Sequence, residues 1–227
     1  MKKQKQLTAA LLIAILLGCG FLTQAQDNSP RLGFRLAPNV GWLKPDVDDY
    51  ENDGAVFGFS WGFISEFPFA ENYAFSSGFN IVFNNGKLNY DYRLNDVNGT
   101  LFRRYNFKYL ELPLMMRMRT ADRGGPMFYA QIGLGTGILL DAKAEDKFEN
   151  EPKEAFKKIN TEVTLLRASM LVGLGVEYPV GATSRLLAGF QFNNGFTNVL
   201  KGTNLVNTGT DHAAMPNFIE FNLGFLF

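Results

Sequence analysis

The chain alternates. Across residues 56–67, Phe57, Phe59, Trp61, Phe63 and Phe67 fall on one parity, and Gly58, Ser60, Gly62 and Glu66 on the other. Successive strand side chains point to opposite faces, so this segment is bulky and apolar on one side, small and polar on the other. A period of 3.6 would smear both sets around a helix axis. The same two-residue period recurs over 75–83, 128–138, 166–178, 186–192 and 219–227. A weaker strand spans 31–43, with a bulge or irregular start expected at Pro38. Another spans 107–119, where Leu110, Leu112, Leu114, Met116 and Met118 share a face and Pro113 argues against a regular central strand. Tyr105, Phe107 and Tyr109 sit on the opposite parity to those leucines, which predicts a register change near Tyr109. Eight strands result, most of them long enough for a tilted membrane span of ~9–11 residues.

The connections alternate as well. Those at 68–72, 121–125 and 179–183 are short, whereas those at 44–54, 85–104, 142–162 and 194–216 are long and polar. Short turns on one side and long loops on the other are the layout of a membrane barrel with both termini in the periplasm. The predicted fold class is therefore all-β, a closed antiparallel up-and-down transmembrane β-barrel of about eight strands. Mixed charge over 145–158 predicts a short exposed helix in the third long loop.

The interior of an eight-stranded barrel is only wide enough for side chains. The bulky apolar sets belong outside against lipid, and the small and polar sets inside. Closure leaves no unpaired strand edge in hydrocarbon. Glu66, Glu111, Arg117, Arg119, Arg167, Glu177 and Glu220 sort with the inward set, and a lone buried charge is costly, so an interior Arg–Glu network is expected. Its simplest role is to plug a non-conducting barrel. Trp42, Tyr73, Tyr90, Tyr109 and Tyr178, near strand ends, suit interfacial aromatic girdles.

Upstream of the alternation, Met1-Lys2-Lys3-Gln4-Lys5 precedes an apolar run from Leu7 to Leu22 and then Thr23-Gln24-Ala25. This is the layout of a secretory signal peptide over residues 1–25, with cleavage between Ala25 and Gln26 and a barrel domain over 26–227. Leu16-Leu17-Gly18-Cys19 is an imperfect lipobox, and lipidation of Cys19 is the minority alternative. Removal of Lys2, Lys3 and Lys5 leaves 19 of the 22 basic residues against 22 acidic ones. A mildly acidic chain without its cysteine excludes nucleic-acid binding by charge, disulfides and thiolate metal sites.

Catalytic chemistry is sparse. His212 is the single histidine, in the last long loop, where a lone histidine reads as solvated. Ser76, Ser77 and Ser169 sit on strands and not on a nucleophile elbow. Asp46, Asp48, Asp49, Glu51 and Asp53 form an acidic cluster that lacks the EF-hand spacing and reads as a solvated loop. No enzyme, cofactor or metal site is expected.

Phe107-Lys108-Tyr109-Leu110-Glu111-Leu112-Pro113-Leu114-Met115-Met116-Arg117, followed by Phe128-Tyr129-Ala130-Gln131-Ile132-Gly133-Leu134-Gly135, resembles the PorT-like outer-membrane β-barrel family of Bacteroidetes. The resemblance implies an integral protein of the cell outer membrane with a structural, accessory or binding role through its external loops. Type IX protein secretion is the specific form it suggests. Implied partners are outer-membrane lipids, other outer-membrane or secretion proteins and, through the terminal Phe225-Leu226-Phe227, the barrel assembly machinery. The alternative is a small-solute channel or ligand-binding outer-membrane protein.

Overall fold

The computed structural model describes residues 29–149, 151–181, 183–204, 206 and 211–227. The expected signal peptide over residues 1–25, the expected cleavage between Ala25 and Gln26, and Cys19 lie outside the described residues. Strands β1 (Arg31–Pro45), β2 (Tyr50–Ala70), β3 (Tyr73–Leu94), β4 (Val97–Arg119) and β5 (Met127–Phe148) follow in order. A two-residue β6 (Lys157–Lys158), a 3-10 turn (Asn160–Glu162), and β7 (Leu166–Val180), β8 (Ser184–Gly195) and β9 (Ala214–Leu226) complete the described elements. Neighbouring strands pair antiparallel, and β1 pairs with both β2 and β9. With β4 on β5 and β5 on β7, the hydrogen-bonded ring closes through eight of the nine strands. Only the small β6 stands outside the ring, on the upper part of β5.

The faces follow the alternation. Phe57, Trp61, Phe79, Leu114, Leu134, Leu174, Phe190 and Leu223 are exposed on the outer surface, while Ser60, Glu66, Asn80, Arg117, Gln131 and Ser169 are buried inside. Glycine is what lets the inner layer fit. A Cβ on Gly133 would stand 2.0 Å from the Leu114 carbonyl oxygen, and one on Gly62 would stand 2.1 Å from that of Phe79. At these positions the neighbouring backbones approach too closely for any side chain.

Pro38 and Pro113 leave the register intact. Pro38 faces outward and pairs with Phe59 in an unbroken register, so the expected bulge is absent. Pro113 faces inward and pairs with Gly135 on β5. On its β3 side the ladder is interrupted between Ser76 and Asn80, and the Ser77 hydroxyl donates to the Pro113 carbonyl at 3.0 Å. The missing N–H thus falls in a gap of the ladder.

The register change near Tyr109 is real but belongs to β5. Lys108 pairs with Asp141 and Tyr109 with Leu139, so the extra residue bulges out of β5. β4 keeps one parity throughout, and Tyr105, Phe107 and Tyr109 consequently point into the barrel with Glu111.

The wall is uneven in height. β2 to β5 carry 21, 22, 23 and 22 residues, against 15, 15, 12 and 13 for β1, β7, β8 and β9. A spanning strand needs ~9–11, so β2–β5 rise well clear of the membrane on the side away from the termini. Much of what reads as the long connection 85–104 is a hairpin, turning at Asn95 and Asp96 with φ of 49° and 64°. Two consecutive left-handed residues make a two-residue turn whose twist matches the strands, and Asn and Asp tolerate that conformation best after glycine. Residues 145–148 continue β5, and none of the described residues of 145–158 is helical. Their alternation with inward Ala142 and Ala144 outweighs the charge pattern.

Candidate functional site

The barrel interior is layered. At the short-turn end, Arg117 pairs with Glu66 and lies 3.4 Å from Glu177. Arg119 reaches Glu66 at 3.1 Å and Glu177 at 3.3 Å. Two arginines and two glutamates thus form a crossed quartet contributed by β2, β4 and β7. The Arg117 guanidinium also donates to Gln131 Oε1 at 2.8 and 3.0 Å and lies 4.6 Å from the centre of the Tyr129 ring.

The hydrogen-bond chain continues upward. Gln131 donates to Gln191 at 2.6 Å, Gln191 to Glu220 at 2.9 Å, and Arg35 pairs with Glu220 at 2.5 Å. A third group stands above it. Arg167 meets Glu111 at 3.1 Å and donates to Asn193 at 2.6 Å, while Asn193 donates back to Glu111 at 3.0 Å. The Arg167 guanidinium lies over the Tyr109 and Phe218 rings, 5.2 and 5.5 Å from their centres. Four buried or nearly buried arginines therefore face four buried glutamates. A cavity of about 20 Å³ beside Arg35, Ser76, Asn80 and Arg117 has room for about one water molecule.

All seven charged residues singled out in the sequence lie in the lumen, six of them pairing among themselves. Glu220 takes Arg35, which the sequence reading missed. The signal was available, since Gly33, Arg35, Ala37 and Asn39 share the parity opposite Phe34 and Leu36.

Above Arg167 the interior becomes apolar. Leu43, Tyr50, Leu88, Tyr90, Leu101, Tyr105, Phe107 and Tyr109 form one buried cluster. Tyr90 and Tyr109 are thus interior residues and not girdle residues, whereas Tyr73 and Tyr178 are exposed on the outer surface. The parity of β3 and β4 sets this, because Tyr90 shares a face with Leu88 and Tyr109 with Glu111. The long loops close over the cluster. Ile159, Val163, Val199 and Leu200 are buried against it. Ile159 N–H donates to Ala142 at 2.9 Å, Thr164 N–H to Val199 at 2.8 Å and Lys201 N–H to Glu162 at 2.8 Å. Arg103 ties the wall to the third loop, meeting Asp146 at 2.9 Å and Glu162 at 3.0 Å.

His212 is not a solvated loop residue. Its ring stands 5.6 Å from both Tyr50 and Tyr90, and its Nδ1 is hydrogen-bonded to the Tyr50 hydroxyl. Asn204 donates to the same hydroxyl at 3.4 Å and to the Asp91 carbonyl at 3.1 Å. Burial and the Arg103 guanidinium hold His212 below the ordinary histidine range, with Glu162 and Asp211 pulling the other way. The acidic residues Asp48, Asp49 and Glu51 rim an open hollow with Asp91. Among the described residues no group of three or more His, Cys, Asp or Glu side chains is arranged to hold a metal ion.

A closed antiparallel ring, apolar outside and filled with paired charges inside, defines an integral membrane β-barrel: bilayer hydrocarbon is the solvent that such an exterior requires. Residues 24–201 match the family described as outer membrane protein beta-barrel domain, and the chain belongs to that family and to the outer membrane. No curated protein matches the chain. Among solved structures it is similar to Neisserial surface protein A (12% identity, 87% of this chain and 97% of that one, TM-score 0.48). It is also similar to OprG from Pseudomonas aeruginosa (12% identity, 88% and 97%, TM-score 0.46). A third is Ail of Yersinia pestis (14% identity, 88% and 99%, TM-score 0.38).

Arg167→Leu strands Glu111 in a buried site and should cost about 3–5 kcal/mol. Arg167→Leu/Glu111→Leu should be more stable than Arg167→Leu alone, as read by urea unfolding in lipid vesicles. A double variant less stable than the single would contradict the pairing.

His212 docks in its neutral form, so its contribution to docking is complete above the ordinary histidine pKa of about 6.5 and is lost as pH falls through the lower docked value. A nitroxide on Thr203→Cys, in the chain beginning at Gln26, should gain mobility as pH is lowered through this window. His212→Gln should abolish that response.

Proposed function

We propose that the protein is a non-conducting, non-enzymatic barrel with a structural, accessory or binding role, exercised through the external wall and the capped mouth. The observation that carries this reading is the filling of the lumen: paired charges below, an aromatic cluster above, and two loops hydrogen-bonded to each other across the top. A solute path would have to break these ion pairs and displace the cluster. Catalysis is disfavoured because the ring of His212, the one histidine, is already engaged by the Tyr50 hydroxyl. In planar bilayers the folded protein should produce no unit conductance steps. Reproducible steps would favour the small-solute channel instead.

The specific form we propose is a component of type IX protein secretion, on the resemblance of residues 107–117 and 128–135 to the PorT-like family. In that setting residues 1–25 are an export leader removed between Ala25 and Gln26, and the terminal Phe225-Leu226-Phe227 is read by the barrel assembly machinery. A deletion strain should then lose many exported and surface proteins relative to its parent. An unchanged profile would remove the secretion assignment and leave the barrel reading standing.

A further inference from the structure

The outer surface of the raised wall carries a group of cations that its own carboxylates do not neutralise. On β4 the outward residues run Met118, Met116, Leu114, Leu112 and Leu110, then Lys108, Asn106 and Arg104. Lys108 stands at the upper limit of the apolar belt, with its ammonium 5.4 Å from the centre of the Phe83 ring. Above it, Lys87 of β3 and Arg104 of β4 are direct cross-strand partners. Both point outward, since Gly86, Leu88 and Tyr105 fill the inward parity. Two like charges placed opposite each other across a strand pair destabilise it unless something anionic sits between them.

The nearby carboxylates do not fill that role. Glu145, the β5 partner of Arg104, is taken by Lys153 at 3.2 Å. Asp141, the partner of Lys108, lies 3.6 Å from Lys143. Among the described residues Lys87, Arg104 and Lys147 form no ion pair, and the Arg104 Nε is buried with no hydrogen-bond partner. These side chains surround a cleft of about 210 Å³ with Phe102 in its wall and Asp53 and Glu145 as its acidic members.

Height selects the occupant. Lys87 is four residues beyond Phe83, about 10 Å higher for a tilted strand rising ~3.3 Å per residue. Long basic side chains lean back toward a membrane surface. The cleft therefore stands at the height of the headgroup layer of the outer leaflet.

We propose that Lys87, Arg104 and Lys147 form a binding site for the phosphate groups of an outer-leaflet glycolipid headgroup. Arg104 supplies the planar donor fork, the two lysines supply point charges, and Phe102 offers an apolar wall to the sugar. The site holds one lipid against β3–β5 and relieves the Lys87–Arg104 repulsion.

The test uses the full barrel refolded in detergent, with bound lipid counted by native mass spectrometry. The probes are a diphosphorylated outer-leaflet glycolipid, its dephosphorylated form and inorganic phosphate. Each basic side chain near an anionic surface contributes roughly a factor of five at low salt. Lys87→Gln/Arg104→Gln/Lys147→Gln should therefore weaken binding of the phosphorylated lipid on the order of a hundredfold. The dephosphorylated lipid should bind the unaltered protein about as weakly. Lys157→Gln/Lys158→Gln/Lys201→Gln makes the same charge change elsewhere on the external end and should bind like the unaltered protein. A mobility shift on boiling, kept by both variants, certifies folding; if the first variant does not fold, Lys87→Gln alone carries the comparison. Equal loss in the control variant, or equal binding of the dephosphorylated lipid, would overturn the site. Displacement of the lipid by micromolar inorganic phosphate would assign the cleft to the free anion and overturn the lipid.

Discussion

In hydrocarbon every backbone N–H and C=O must find its partner within the protein, and from this the rest of the molecule follows. A sheet satisfies the requirement only by closing. The ring closes where β1 meets β9, with Gly33 to Leu36 paired against Leu223 to Leu226. Eight strands leave a lumen no wider than its side chains, so the inward parity is confined to glycine, small polar residues and a limited set of larger ones. The Phe-rich parity has nowhere to go but outward.

Filling that lumen has two solutions in one molecule. Toward the termini the filler is ionic, and each guanidinium meets a carboxylate that is itself held by a neighbour, as Glu111 is by Asn193 and Glu220 by Gln191. Toward the mouth the filler is aromatic, and the loops extend the same apolar surface. Arg167 is the boundary: its guanidinium lies over the Tyr109 and Phe218 rings and also meets Glu111.

The two-residue period made the barrel and its faces legible, because it depends only on neighbours along one strand. What depends on neighbouring strands was not legible. The partners of Glu220 and Glu111 are set by register and by the stagger of the barrel, which parity does not encode. The interior destination of Tyr90 and Tyr109 was missed because tyrosine suits both a membrane interface and a buried cluster. Parity alone, read strictly through Tyr109 and Glu111, would have placed Tyr109 inside. The hairpin of β3 and β4 was hidden by its polarity: above the membrane a strand's outer face is wet, and Asn85, Lys87 and Asn89 then resemble a loop. His212 was misjudged because sequence shows a residue's company along the chain and not the tyrosines that fold around it.

The unequal heights of the wall give the molecule a front and a back within the plane of the membrane. From the side of β7, β8 and β9 the barrel is low, and an approaching protein meets the capping loops almost at the lipid surface. From the side of β2–β5 it meets a raised sheet whose outer face carries its own charges. A ring of similar strands would look much the same from every direction to its neighbours in a crowded bilayer. This one has a compass bearing, and any lateral partner must arrive in the right orientation.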